Sequence, residues 1–583
     1  MNKMYEIANK CHKCLKPNCS KHCPLNNNIP LICSYVSENN LDIASDVLFR
    51  FNPFPYLTSK LCNHDAQCAG NCLFKNVDFY NLEYELGIKY FDKLTDYNNE
   101  LTDANIVIIG GGITGLTIAH YLLKSGLKPT IYEKDKLGGV ITTSIPNFRY
   151  EKTLFFKHIT KIEEKCNVVY QKVDTKMIKE LSMNSKVIIC IGSEIETVSL
   201  NDNFVFKAIE VLKELNNGTC NIKNKKVAVI GLGNTACDVA RSLKRAGNDV
   251  EIIYRRDIEG SLASKKEISD LESEEITINT CLSPVAFVDG ILSLKKNILI
   301  QKQGESRKTI ITTDEVLEMP FDLVVEAIGS KPDVKLLEEV LENDYSDLLV
   351  AKRAGNLYFK AKDKEIYVGG DSFYGAWNIA TAIASGLKIA KQLLPTYLFG
   401  GSFNPITKAH YKILEYLANR GNLIVVPNGD RYELKNLPSF DIRKKMVEIE
   451  IAKIKKHHQI EISEFEKSSF YKGTIETLRY YNHPIMVIGD DCLFKLDTWI
   501  KADILVKENK FLVITRKEEI YKLEEYILNN SLLKEYFDHF TIVDILDDEH
   551  KVLSSTDYRC NNNSDNISEE VLEFLKENKL YEV

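Results

Sequence analysis

Eight of the fifteen cysteines lie between Cys11 and Cys72. Cys11, Cys14, Cys19 and Cys23 follow a C-x2-C-x4-C-x3-C-P pattern closed by Pro24, and Cys62, Cys68 and Cys72 follow C-x5-C-x3-C. Thiolates spaced this closely can wrap a soft metal centre, and iron–sulfur clusters require such ligands. Zinc is the other candidate, but zinc sites usually pair two C-x2-C units and only one is present. Cys33, within LICSYV, reads as a small core residue.

A second kind of chemistry is written in glycine. Residues 105–115, NIVIIGGGITG, run from an apolar strand into Gly110, Gly112 and Gly115 and then into an apolar helix. In that spacing the first glycine makes the tight turn, the second lets backbone approach a pyrophosphate, and the third lets helix pack on strand. Glu133 ends the next strand, where a carboxylate can hold a ribose hydroxyl. The pattern returns in KKVAVIGLGNTACDVARSL as Gly231, Gly233 and Ala236. The strand after it ends in Arg255 and Arg256, and guanidinium at that place suits a 2′-phosphate, hence NADPH rather than NADH. The chain thus holds a duplicated dinucleotide module. No C-x-x-C disulfide centre occurs within it, so electrons are expected to leave through iron–sulfur clusters.

The elements that must carry these residues belong to several domains, since the chain has 583 residues and a domain typically takes about 150. The hydrophobic content of 44% and charged content of 27% are those of a globular protein. A formal net charge of −7 gives no reason to expect nucleic acid as a partner. The first residues, MNKMYEIANKCHK, lack the apolar core of a signal peptide, and no run approaches a membrane span. A cytoplasmic protein without membrane association is expected.

The cysteine block and the intervening NPFPYLTSKLC resemble the helical N-terminal domain of the glutamate synthase small subunit and of dihydropyrimidine dehydrogenase. The resemblance implies two [4Fe-4S] clusters, with Cys11, Cys14, Cys19 and Cys72 on one and Cys23, Cys62 and Cys68 on the other. It implies Glu83, in VDFYNLEY, as that second cluster's fourth ligand. Thr58 stands where the family often has a cysteine. FDLVVEAIGSKPD and IYVGGDSFYGAWNIATAIASGLKIAKQL, with Asp371, resemble the pyridine nucleotide–disulfide type of flavin reductase. There the aspartate touches the flavin's ribityl chain. The first module is therefore expected to hold FAD and the second NADPH. GGV near Gly138 and IPNFR near Pro146 also look like the glutamate synthase small subunit, whereas GSLASKK after Arg256 departs from it.

TYLFGGSFNPITKAHYKILEYL then reads strand, glycine turn and helix, and resembles the signature of nicotinate-nucleotide adenylyltransferases. The resemblance implies Gly400, Gly401 and Phe403 against ATP phosphates and His410 on the α-phosphate. Thr474 in YKGTIETL, Asp490, Asp491 and Trp499 in MVIGDDCLFKLDTWIKAD, and Ser554, Ser555, Thr556 and Arg559 in LSSTDYR match further segments in family order. The tryptophan is implied to stack on the pyridine ring, and the last group to hold phosphates at a helix start. Thr407 stands where this family usually has its first His and where pantetheine-phosphate adenylyltransferases usually have Thr, and Ala409 replaces a common Gly. Lys435 is the expected cation in a region that lacks the family's PPHK string.

The expected fold class is multidomain α/β. A helical iron–sulfur domain (1–100) precedes interleaved Rossmann-like FAD (101–205 and 331–395) and NADPH (206–330) domains, and a Rossmann-like nucleotidyltransferase domain (396–583) follows. The expected protein is bifunctional. One half passes electrons from NADPH to a protein acceptor or a synthase large subunit. The other joins nicotinate mononucleotide to ATP, with Mg2+, giving nicotinate adenine dinucleotide and pyrophosphate. The alternatives are a redox-sensing reductase half, and a C-terminal half that only binds nucleotide or uses phosphopantetheine.

Overall fold

The computed structural model describes residues 2–14, 16–75, 77–97, 100–196, 200, 203–302, 307–430, 437–455, 458–468 and 470–581. The chain divides into two compact units. The first comprises Met1–Thr95, Ala104–His120 and Pro129–Ile389; the second comprises Asp96–Asp103, Tyr121–Lys128 and Ala390–Val583. Among the described residues no helix is long and apolar enough to cross a membrane.

The first unit begins with short helices packed on an aromatic and aliphatic core that includes Ile32, Val36, Leu48, Phe51, Phe54, Tyr56 and Leu82. The helix Ile29–Ser37 starts on Asn28, whose side chain accepts from the Leu31 N–H, with Pro30 in the first turn. The helices Pro55–Leu61 and Phe79–Lys89 cross at Gly87. A Cβ there would lie 2.9 Å from Pro55 Cγ and 3.1 Å from the Tyr56 nitrogen. This close crossing brings Thr58 on one helix to Glu83 on the other.

The helices lead into a six-stranded sheet in the order Tyr358–Lys360, Ile366–Gly369, Lys186–Ile189, Thr102–Ile109, Leu127–Glu133 and Asn167–Tyr170. Lys186–Ile189 pairs parallel with Ile366–Gly369 and with Thr102–Ile109, Leu127–Glu133 pairs parallel with Asn167–Tyr170, and the edge strand Tyr358–Lys360 pairs antiparallel. Central strands of such a sheet are covered on both faces and therefore read as unbroken apolar runs. Residues 106–109 and 187–189 are accordingly all buried. A second sheet, wholly parallel, interrupts the first in sequence, in the order Val205–Lys207, Leu323–Glu326, Lys226–Ile230, Asp249–Ile253 and Thr277–Asn279. Its strands follow the chain's exit from Lys186–Ile189 and precede its return at Tyr358.

Within that interruption lies an antiparallel sheet of Leu282–Val288, Ile291–Ile300 and Thr309–Pro320. The expected organisation holds no such element. Asp289-Gly290, both at positive φ (49° and 78°), join the first two strands as a primed turn, which is the hairpin signal the sequence carries there.

The second unit is built on a six-stranded parallel sheet, in the order Ile460–Ile462, Asn422–Pro427, Thr396–Gly401, Ile485–Gly489, Phe511–Ile514 and Phe540–Val543. Its core includes Phe403, Ile406, Leu414, Val425, Met446, Val487 and Ile514. The fold is thus multidomain α/β with parallel sheets, a Rossmann-like redox part and a Rossmann-like C-terminal part. Replacing Gly87 by Ala forces the Pro55–Leu61 and Phe79–Lys89 helices apart. It is expected to destabilise the N-terminal helices by about 1–3 kcal/mol. Anaerobic thermal unfolding should show the first transition lowered, with less iron retained.

Candidate functional site

The cysteines ring two neighbouring hollows. One is lined by Cys11, Cys14, Cys19 and Cys72, the other by Cys23, Cys62 and Glu83, and Cys68 borders both. Among the described residues no three ligand-type side chains stand close enough together to hold a single metal ion. Glu83 is 4% exposed. Its Oε1 accepts from Asn52 Nδ2 at 2.7 Å, Thr58 Oγ1 at 3.0 Å and Asn27 Nδ2 at 3.4 Å. Burial still pushes its carboxyl up to about 8. Burial likewise raises the Cys19 and Cys23 thiols to about 11, and Cys62 well above its usual range. Cys11 goes the other way, to about 7, because its sulfur is hydrogen-bonded with the Cys33 thiol. Acids buried this deeply ionise only beside a counter-charge, and cluster iron supplies one. The donor set therefore fits iron–sulfur chemistry. Thr58 occupies its position as a hydrogen-bond donor to Glu83, and Cys33 is a fully buried core residue, as expected, whose thiol is also hydrogen-bonded with Cys11.

The two glycine turns share one pattern. Gly110 has φ +105°, and a Cβ on it would lie 2.3 Å from the Cys190 carbonyl oxygen. Gly231 has φ +121°, and a Cβ would lie 2.3 Å from the Ala327 oxygen. A Cβ on Gly115 would meet the Gly110 oxygen at 2.1 Å, while Ala236 is fully buried on the second helix. Gly112 and Gly233 differ from these, since a Cβ on either would meet nothing within 4 Å. The protein itself therefore demands glycine at the turns but not at these two positions. They are the places left open for a ligand's phosphates at a helix start. The residues present fit a dinucleotide at each turn.

Glu133 is 8% exposed and already serves the loop: Oε2 accepts from the Gly111 N–H at 2.7 Å and Oε1 from the Asp135 N–H at 2.9 Å. Asp371 opens the short helix Asp371–Tyr374, just ahead of the long helix Ile379–Leu393. Burial raises its carboxyl to about 6. At the second turn Arg255 is exposed, whereas Arg256 Nη1 donates to the Lys308 carbonyl at 2.6 Å. Arg307, which the motif does not include, acts on Tyr254 together with both arginines. A further residue, the arginine of IPNFR, for which the sequence offers no role, ties the two modules together. Arg149 donates through Nη1 to both Asp238 oxygens (3.0 and 2.9 Å) and through Nη2 pairs with Glu267 at 2.9 Å. Its neighbour Phe148 lies under Arg245, 3.9 Å from the ring centroid.

In the second unit the loop after Thr396–Gly401 carries a cis Asn404–Pro405 bond and ends at Thr407, the cap of the helix Lys408–Ala418. The Thr407 N–H donates to His410 Nδ1 at 3.0 Å. Nδ1 is therefore an acceptor, and the neutral ring carries its proton on Nε2. Burial, with the Arg516 charge nearby, lowers His410 to about 4, so the ring is neutral at pH 7. Phe403, at φ 44°, packs edge-on against His410 with centroids 5.4 Å apart, and a Cβ on Gly401 would press on the Phe403 ring at 3.2 Å. Gly400 has only ordinary contact with its neighbours.

The helix Ser555–Asn561 is drawn onto the same loop. Ser554 caps it through the Thr556 and Asp557 N–H groups, Ser555 Oγ donates to the Pro405 oxygen at 2.7 Å, and Arg559 donates to the Asn404 oxygen and to Thr556 Oγ1. Arg516, which the sequence reading does not include, joins them by donating to the Leu553 oxygen. Asp490 is 2% exposed and has a structural task. Its Oδ2 accepts from the N–H groups of Arg516, Lys517 and Glu518, and its Oδ1 from that of Asp491. It shapes the turn that presents Arg516. Asp491 is exposed, and Thr474 and Trp499 are half-buried. Among the described residues no hydrogen bond or ring contact joins Thr474 or Trp499 to the His410 group. Lys435 lies outside the described residues.

Comparison with known proteins gives three matches in chain order. Residues 1–93 match the family of dihydropyrimidine dehydrogenase domain II, 4Fe-4S cluster. Residues 104–386 match the pyridine nucleotide-disulphide oxidoreductases, and residues 398–561 match the cytidylyltransferase-like family. The small chain of NADPH glutamate synthase from Halomonas elongata is 27% identical over 66% of this chain and 89% of its own length. The Escherichia coli small chain is 26% identical over 66% of this chain and 90% of its own. Among solved structures, Mycobacterium tuberculosis FprA in complex with NADPH aligns at 16% identity with a TM-score of 0.41, covering 49% of this chain and 83% of that one. The N-terminal two thirds therefore match the glutamate synthase small-subunit family, and the last third is cytidylyltransferase-like.

The glycine geometry separates two kinds of variant. Gly110→Ala is expected to disrupt the strand-to-helix turn and lower soluble yield. Gly112→Ala is expected to keep the wild-type circular dichroism while losing the flavin absorbance. Gly233→Ala should keep both and raise the KM for NADPH.

Proposed function

We propose that this chain joins an NADPH-dependent FAD and iron–sulfur oxidoreductase to an adenylyltransferase that uses nicotinate mononucleotide. The observation that carries the first half is the gathering, within one compact unit, of seven thiols, a buried carboxylate and two glycine turns each open at its second glycine. When bound, FAD would supply the conversion of hydride to single-electron chemistry, and the seven cysteines and Glu83 would hold iron–sulfur clusters able to carry those electrons. The chain's own residues do the rest. Gly112 lets the first turn approach the FAD pyrophosphate, Glu133 faces the ribose, and Asp371 faces the ribityl chain. Gly233 does for NADPH what Gly112 does for FAD, and Arg255 offers its exposed guanidinium to the 2′-phosphate. Arg149 holds the two modules in register through Asp238 and Glu267. Glu83 stays oriented toward its hollow because Asn52 and Thr58 fix one of its two oxygens.

For the second half the supporting observation is the tautomer of His410. A neutral ring whose Nε2 carries the proton donates a hydrogen bond to the α-phosphate of ATP without adding a charge. Arg516 and Arg559 provide the positive charge as the pentavalent phosphorus forms. The phosphate of nicotinate mononucleotide attacks in line, the bond from the α-phosphorus to the β-phosphate bridging oxygen breaks, and pyrophosphate leaves with Mg2+. Ser554, Ser555 and Thr556 surround a helix start suited to phosphate, and Trp499 is the residue to stack on the pyridine.

The whole reading is tested on anaerobically purified protein by counting iron, sulfide and flavin and by following NADPH oxidation with menadione. The transferase is tested by pyrophosphate release from ATP with nicotinate mononucleotide, with phosphopantetheine as the competing substrate. His410→Ala is expected to lower kcat by about 10²–10³-fold, as for the loss of one donor to a developing charge. With His410 at about 4, the ring keeps its donor form above that value and becomes cationic only below it. The profile of kcat/KM should therefore show no inflection from His410 between about pH 5.5 and 8.

A further inference from the structure

The hollow ringed by Cys11, Cys14, Cys19 and Cys72 lies beside an apolar lip. Leu73 and Phe74 border it while remaining 66% and 50% exposed, and His12 stacks on Phe74 with centroids 3.6 Å apart. Exposed large apolar side chains next to a functional hollow are the kind of surface that a partner covers. The segment that carries the first three of these cysteines is rich in lysine. Residues 10–21 contain four lysines and no acid, in a chain whose net charge is −7. Lys10, Lys13, Lys16 and Lys21 are exposed, as is Lys75 immediately after the lip. Among the described residues none of the five is in an ion pair, and the Lys13 ammonium acts electrostatically on the Cys11 thiol. The four cysteines themselves are only half-buried. An anionic partner seated here would be steered by the lysines and would bring its own redox centre close to the ligands.

We propose that this lysine-rimmed lip is the docking surface for an acidic one-electron carrier protein that takes electrons from the hollow bordered by Leu73 and Phe74. The proposal rests on the reductase reading above. The balance is simple: one NADPH gives two electrons, two carrier molecules are each reduced by one, and NADP+ and a proton are released. The lip gives short-range apolar contact and the lysines give encounter rate, the usual division of labour in weak redox complexes. A nucleic acid would satisfy the lysines but would have no use for a surface centred on thiols.

The probe is an acidic [2Fe-2S] ferredoxin, with its gallium-substituted form used to measure docking without electron transfer. Anaerobic holoenzyme should bind the gallium form with an affinity that falls as salt rises. The variants Lys13→Glu/Lys16→Glu and Lys21→Glu/Lys75→Glu should each weaken binding about tenfold, as should Leu73→Asn/Phe74→Ser. The same variants should slow NADPH-driven reduction of native ferredoxin while retaining wild-type iron content and wild-type turnover with menadione, a neutral quinone. Lys→Gln versions should give an intermediate loss. Salt-independent binding, or variants that bind the gallium form as tightly as wild type, would overturn the proposal. So would tight binding of a single-stranded oligonucleotide to the patch together with none of ferredoxin. Failure of the wild-type protein to turn over menadione would instead remove the reductase reading.

Discussion

Each of the three turns proposed as nucleotide sites depends on one constraint: a phosphate can be reached by backbone N–H groups only where the chain turns from strand into helix without side chains in the way. The chain meets it three times by two means. At Gly110 and Gly231 the turn is made by glycine in a conformation that other residues adopt only with strain, against a carbonyl that leaves no room for a Cβ. In the C-terminal unit a cis Asn404–Pro405 bond and the Thr407 cap make the turn instead, and the loop is held from outside by Ser555 and Arg559. The first means is local and self-sufficient. The second is distributed over distant residues, which lets the same helix carry His410 as a donor of fixed tautomer.

The cysteine domain obeys a different rule. Buried acids stay protonated unless a positive group is near, and among the described residues no cation acts on Glu83, Cys23 or Cys62. The two asparagines and Thr58 compensate in part, because hydrogen bonds to a carboxylate favour its charged form. They cannot match the cost of burial. A metal-binding surface of this type is therefore built ahead of its metal as neutral acids, and binding releases protons.

The parts of this architecture that were legible in the sequence are those whose signal is short in range. The glycine spacings, the apolar runs before them, the cysteine spacing and the segment around Ser554 to Arg559 all lie within a few residues of each other. They sufficed for the order of domains and for the parallel sheets. The residues that escaped are those whose meaning arises only after folding. Arg149 reads as part of IPNFR until it meets Asp238 and Glu267 on other elements. Asp490 reads as a ligand-facing acid until its oxygens are seen to be occupied by the N–H groups of residues 516–518. Arg516 carries no motif at all. The antiparallel sheet at 282–320 is a milder case, because its Asp-Gly turn is a local signal set among strands too irregular in burial to show clean alternation.

The interruption of one sheet by another bears on how the polypeptide emerges from the ribosome. Strand Ile366–Gly369 pairs with Lys186–Ile189, yet the whole intervening sheet must be made before it exists. During translation the strands Thr102–Ile109, Leu127–Glu133, Asn167–Tyr170 and Lys186–Ile189 form an open edge. The inserted module, whose strands are all contained within its own stretch, can close on itself first. Such long-range pairing is slow and leaves an exposed edge that invites wrong partners. Completion of the outer sheet is thus the late event in the biogenesis of the first unit, and the nascent chain is most in need of chaperone shielding in the interval before residue 366 leaves the exit tunnel.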